Sequence, residues 1–195
     1  MNITVIGCGR WGSFHAWHAN KIGHAVTLYG RKNSATMDRL ERTGGNDYLT
    51  LSKEIRLTRD LSAAVNFADV IIISVGSQNL RDLLDEIKIC GAPLDGKKFL
   101  LCMKGLERGT GKRLTTVFNE VIPAQNFSVN VAVWVGPGHV EDFVNEIPNC
   151  MVIASADENF SSADAITMQF GISLTKSSTW PGPTQTATFT GKFSS

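Results

Sequence analysis

The sequence has no apolar run approaching the ~20 residues that a membrane-spanning helix needs. Its N-terminus lacks a basic segment ahead of a long apolar stretch, and glycines interrupt any signal-like run. Excess charge of either sign is missing: 19 Lys and Arg stand against 18 Asp and Glu, a net of +1. Nothing in that balance points to nucleic acid or an anionic membrane as the main partner. Cysteine is scarce and scattered. Cys8, Cys90, Cys102 and Cys150 form no C-x-x-C pair and no cluster with histidine. This argues against zinc and against a redox dithiol, and for free thiols in a reducing compartment. The expectation is a cytoplasmic protein without a membrane span. With 195 residues, 43% of them hydrophobic, there is material for one domain, or one and a part.

What is present is concentrated in Met1 to Arg31. Asn2 to Ile6 ends in an apolar run, as a buried parallel strand would. Gly7, Gly9 and Gly12 follow directly in the spacing G-x-G-x-x-G. From Gly12 to Ile22 there is no proline, and Phe14, Trp17 and Ile22 recur at helical spacing; Ala25 to Tyr29 is a second short apolar stretch. In that order of strand, turn, helix and strand, the glycines predict a dinucleotide site. The first allows the tight turn, the second lets a pyrophosphate approach the backbone, and the third lets the helix pack against the sheet. After Tyr29 no acidic residue waits for a ribose 2′-hydroxyl, whereas Arg31 and Lys32 suit a 2′-phosphate. NADP, or tolerance of both NADP and NAD, is expected.

The same unit repeats. Ser34 is a candidate cap for a helix to Arg42, Ile55 to Thr58 a short strand, and Asp60 to Phe67 a helix. Asp69 to Val75 reads as a central strand buried on both faces, with Gly76 at its carboxyl end, and Asn79 to Ile89 as an amphipathic helix. Phe99 to Met103 is the next strand, delivering Lys104 and Gly105; Lys112 to Ile122 is a helix, and Val129 to Val135 a strand closing on Gly136 to His139. Gly111-Lys112 is no P-loop, because Leu106 stands at the first glycine position and Arg113 replaces the Ser/Thr. Val140 to Val144 begins a helix, Val152 to Ala154 is a strand, and Asp157 to Phe170 a last helix. These elements predict a Rossmann-like, doubly wound parallel α/β domain over residues 1–171. Residues 172–195 lose apolar periodicity and are expected to form an irregular tail without a domain of its own.

Four stretches, taken in order, resemble NAD(P)-dependent glycerol-3-phosphate dehydrogenase of the bacterial type. They are Gly9-Arg10-Trp11-Gly12, Gly23 to Arg31, Met103-Lys104-Gly105-Leu106-Glu107 and Val135-Gly136-Pro137-Gly138-His139. By position, the resemblance implies cofactor contacts from Gly7, Gly9, Arg10, Trp11, Gly12, Arg31, Lys104 and Val140. It implies substrate contacts from Lys104, Gly136 and Gly138, and catalytic roles for Lys104 and for Lys192. Gly138 departs from the family's Ser or Thr, and Gly76 from a common proline. The neighbours of Lys192 do not match the family's G-x-L-K-N-like motif, and its later arginine-asparagine segment is absent. The implied reaction interconverts dihydroxyacetone phosphate and sn-glycerol 3-phosphate, a glycerophospholipid precursor, by hydride transfer in a truncated or frame-altered form. A non-catalytic NADP(H)-binding module, or a reductase of another small oxo-substrate, are the alternatives. Neither a metal nor an oligomer is assumed.

Overall fold

The computed structural model describes residues 1–123, 126–147 and 151–155, together with the backbone of Cys150, 172–177 and 185–191. Strand β1 (Asn2–Ile6) leads through the glycine turn into α1 (Arg10–Lys21) and β2 (Ala25–Tyr29). Next come α2 (Ala35–Thr43), β3 (Arg56–Thr58) and α3 (Leu61–Phe67). The cap expected at Ser34 forms, and α3 is capped by Asp60, which the sequence reading placed at the start of that helix. Ser34 accepts a hydrogen bond from Met37 N, and Asp60 accepts one from Ala63 N, each satisfying an amide the first turn leaves unpaired. The second half contains β4 (Val70–Ile73), α4 (Leu80–Ile89), β5 (Lys98–Leu101), α5 (Leu114–Val121), β6 (Asn130–Val135), α6 (Val140–Val144) and β7 (Cys150–Ser155).

The strands line up as β3-β2-β1-β4-β5-β6, all parallel, which is the doubly wound order expected. Alternation along each strand feeds two cores. Ile3, Val5, Val70, Ile72 and Leu100 face one layer, which α1 covers with Phe14, Ala16 and Ala19. Ile6, Ile71, Ile73, Phe99 and Leu101 face the other, under Leu83, Leu84, Ile87 and Phe118. A strand such as Val-Ile-Ile-Ile, buried on both faces, is what the central position of a parallel sheet requires.

Beyond β6 the sheet changes direction. Strand β7 lies antiparallel to β6, and Ser155 Oγ donates to Val131 O at 2.8 Å. An apolar run fixes which residues are buried, not which way a strand runs, so the parallel reading stops at β6. Within the stretch read as an irregular tail, the backbone of β8 (Ile172–Ser177) and β9 (Gln185–Gly191) continues the sheet antiparallel, in the order β7-β9-β8. Thr186, Thr188 and Thr190 alternate there, and β-branched threonine suits a strand although a search for apolar period passes over it. The helix expected over 157–170 falls outside the described residues. No helix among the described residues is long and apolar enough to cross a membrane.

Candidate functional site

The order β2-β1-β4 puts a switch point between β1 and β4, where the chain winds to opposite sides and leaves a crevice at the strands' carboxyl ends. Both walls are built by the turns that follow these strands. Gly7 N donates to Tyr29 O at 3.0 Å and Ser74 N to Ile6 O at 2.9 Å, tying β1 to both neighbours just past its end. Gly7 has φ +107°, and a Cβ there would lie 2.2 Å from Ser74 O. At Gly12 a Cβ would sit 1.7 Å from Gly7 O, so only glycine lets α1 start this close to the strand. Gly9 is different: a Cβ would meet nothing within 4 Å. Its open side is space that a Cβ would fill and that a ligand backing onto the turn can use.

Helix α1 has no acidic residue in its first turn and no side chain capping its start at Gly9. Its first amides therefore retain hydrogen-bonding capacity and the positive end of the helix dipole, the combination that holds phosphate. The crevice in front of them has a volume of about 770 Å³ and is lined by Gly7, Cys8, Gly9, Gly30 to Ser34, Ser74 to Gly76 and Asn79. These residues fit a dinucleotide: glycine backbone for the pyrophosphate, and Arg31 and Lys32 at the end of β2. Arg31 Nη2 lies 3.8 Å from Glu86 Oε1, a loose and exposed pair that competes weakly. A second cleft of about 730 Å³ shares Tyr29, Arg31 and Lys32 with the first and runs on to Arg59, Asp60 and Glu86.

Arg59 had no part in the sequence reading. It follows β3, whose register sets Thr58 opposite Tyr29, so Arg59 arrives beside the Arg31–Lys32 turn. Its Nη1 donates to Arg31 O at 3.3 Å and to Lys32 O, while Nη2 meets Asp38 at 2.6 Å and Glu41 at 2.8 Å. Only this register relates the residues, which lie 18 to 28 positions apart.

Arg10, Trp11 and Val140 stand apart from the crevice lining. Arg10 pairs with Glu141 at the start of α6 and lies 4.3 Å from the Tyr48 ring centroid. Trp11 packs edge-on against Trp134 at 5.3 Å and Phe143 at 6.0 Å. Val140 is wholly buried. On the same side, His15 and His18 are buried in α1, and burial pushes their pKa values down to about 3 and about 4.

Farther along the same sheet edge, Lys104 follows β5 and Gly136 follows β6. The structure joins them: Lys104 Nζ donates to Gly136 O at 2.6 Å. Gly138, two residues on, is buried before α6. The turn carrying Lys104 is anchored on α4 and on the short 3-10 turn, Ser77–Asn79, that precedes it. Gln78 Nε2 donates to Leu106 O at 3.0 Å, and Arg108 N to Gln78 Oε1 at 2.7 Å. Arg81 holds Glu107 through two bonds of 2.7 and 3.0 Å, and Thr110 Oγ1 adds a third at 2.6 Å. Hydrogen bonds from Arg81 and Thr110 keep the Glu107 carboxyl down at about 2. The sequence isolated Lys104-Gly105-Leu106-Glu107 but not Arg81, which lies 26 residues away on another element. Lys192 is outside the described residues. Among the described residues, no group of three or more His, Cys, Asp or Glu is placed to hold a metal.

Comparison with known proteins bears on this geometry. The family model described as NAD-dependent glycerol-3-phosphate dehydrogenase N-terminus matches residues 2–161. The chain is 31% identical over 194 residues to a glycerol-3-phosphate dehydrogenase [NAD(P)+] of Thermoanaerobacter sp. (strain X514), covering 89% of this chain and 56% of that one. Against the enzyme of that name from Prosthecochloris aestuarii, identity is 35% over 161 residues, with 80% and 47% covered. The structure of a glycerol-3-phosphate dehydrogenase from Coxiella burnetii superposes with a TM-score of 0.74 at 22% identity, covering 86% of this chain and 50% of that chain. DsGPDH of Dunaliella salina gives 0.71 at 17% identity, covering 86% and 32%. At those identities the structural likeness carries the fold. The chain spans about half the length of the curated relatives it matches.

Proposed function

This chain belongs to the NAD-dependent glycerol-3-phosphate dehydrogenase family, as that family's N-terminal domain, and from that premise we propose that it binds NADP(H) or NAD(H) in the β1/β4 crevice for reversible reduction of dihydroxyacetone phosphate to sn-glycerol 3-phosphate. One observation carries the reading: Gly7 and Gly12 are sterically obligatory, whereas Gly9 leaves open space in front of the amides of α1. Gly7, Gly9 and the start of α1 hold the pyrophosphate, and Arg31 with Lys32 meets the adenosine ribose or its 2′-phosphate. The nicotinamide supplies the hydride equivalent when bound.

What the chain adds is binding and charge. Lys104, fixed by Gly136 O and by the Gln78 and Arg81 anchors, presents a cation at the strand edge where a substrate phosphate binds or a carbonyl gains negative charge. Gly136 and Gly138 leave two positions of the neighbouring turn without side chains. In this reading Lys192 is the group that transfers the proton, and Arg10 and Trp11 support the turn from the α6 side. The family reading carries a cytoplasmic location and a phosphorylated small-molecule substrate with it.

The test is a fluorescence titration of the purified chain with NADPH and NADH, followed by addition of dihydroxyacetone phosphate. Binding with oxidation of the nucleotide is expected. Lys104→Ala should abolish oxidation while changing nucleotide affinity by less than about threefold, since uniform binding and transition-state stabilisation separate in this way. Binding without oxidation confines the chain to a cofactor-binding module, and binding of neither nucleotide ends the reading.

A further inference from the structure

Arg59 is the most heavily engaged cation beside the nucleotide crevice, and its partners lie on α2 and on the turn after β2. Its guanidinium spans three parts of the chain: the carbonyls of Arg31 and Lys32, Asp38 on α2, and Glu41 one turn later. With Nε also donating to Glu41 at 3.0 Å, the planar fork is saturated in a way a lysine cannot reproduce. Only 24% of the side chain is exposed, although its partners lie at the surface. The turn it holds is further tied by Gly30 N to Thr58 O at 3.1 Å and by Ser34 N to Arg31 O at 3.1 Å.

Charge bookkeeping around this turn gives Arg59 its purpose. Arg31, Lys32 and Arg59 face Asp38, Glu41, Asp60 and Glu86 across α2, α3 and α4. With Arg59 in place, Asp38 and Glu41 are satisfied, and Arg31 and Lys32 remain available at the crevice rim. Without it, two carboxylates stand next to the turn. They raise the negative potential there and compete for the same two cations.

We propose that Arg59 is a positioning and specificity-determining residue, which clamps the Arg31–Lys32 turn and neutralises Asp38 and Glu41 so that the site favours a cofactor carrying a 2′-phosphate. The inference rests on the nucleotide reading above and deepens it. A 2′-phosphate brings close to two negative charges to the turn, whereas a 2′-hydroxyl brings none, so the charge environment acts on the two cofactors unequally.

The experiment compares NADPH and NADH affinities of the full chain with those of Arg59→Met, Arg59→Lys and Glu41→Gln, each checked for an unchanged melting profile. Arg59→Met should weaken NADPH by about tenfold and NADH by less than about twofold. Glu41→Gln removes an anion but keeps an acceptor for the guanidinium, and should strengthen NADPH by about twofold or more. Arg59→Lys should fall between the parent and Arg59→Met. A merely structural role for Arg59 weakens both nucleotides by the same factor and leaves Glu41→Gln no better than the parent; that result overturns the proposal. Should Arg59→Met fail to fold, the opposite shifts expected of Glu41→Gln and Arg59→Lys decide. A parent chain that binds neither nucleotide overturns the crevice reading first, and is seen before any substitution is made.

Discussion

Residues that look alike in the sequence do different work in the structure. Gly7, Gly9 and Gly12 share one motif, yet steric contact separates them. Gly12→Ala drives a Cβ into Gly7 O and is expected to destabilise the fold by about 2 kcal/mol or more, read by chemical denaturation. Buried histidines make a second case. His15 is held neutral by burial, with Nε2 lacking a hydrogen-bond partner among the described residues. Its folded pKa, about 3, lies below the ordinary 6.5, so the unfolded chain binds the proton first as pH falls. Stability is therefore lost as pH drops below 6.5 and continues to fall towards 3. His15→Leu should make the slope between pH 6.5 and 5 shallower by about 1 kcal/mol per pH unit in denaturation at stepped pH. The glycine turn and Arg31 were legible because their meaning is local. Arg59 was not, because its partners come from α2 and the neighbouring turn and only the β2–β3 register assembles them.

Elements were legible wherever burial imposes a period. The sequence reading of β2 agrees with the structure residue for residue, and α6 starts at Val140 as read. The strand expected over 69–75 shortens to Val70–Ile73, because Ser74 and Gly76 already form the crevice wall. Direction was invisible at β7, where an apolar run of the same kind pairs antiparallel. The turn after β5 is held less by its own sequence than by α4. Glu107→Gln weakens the Arg81 fork, and amide hydrogen exchange over 104–113 should accelerate by about tenfold while the core strands are unaffected. In the parent this anchor is complete above the ordinary carboxylate value of 4.5 and is lost as pH falls to about 2. On the opposite layer, Phe99 and Phe118 pack with tilted rings 4.9 Å apart between centroids, both fully buried. Phe118→Ala should cost about 3–5 kcal/mol of stability in a denaturant titration.

At the scale of the whole molecule, the parallel half of the sheet converges its ligand-facing turns on one edge. The turns after β1 and β4 build the crevice, and those after β5 and β6 bring Lys104 to Gly136. This convergence follows from parallel order alone, and the β1/β4 crevice lies wholly within the part of its relatives' length that the chain spans. Gly9 tests it most directly, because space is open there and nothing in the fold needs it. NADPH titration of Gly9→Ala against the parent should show an unchanged melting temperature and an affinity at least about tenfold weaker, as the new methyl group occupies the pyrophosphate position. Parent-like affinity in a folded Gly9→Ala variant would contradict the placement of the nucleotide on this turn.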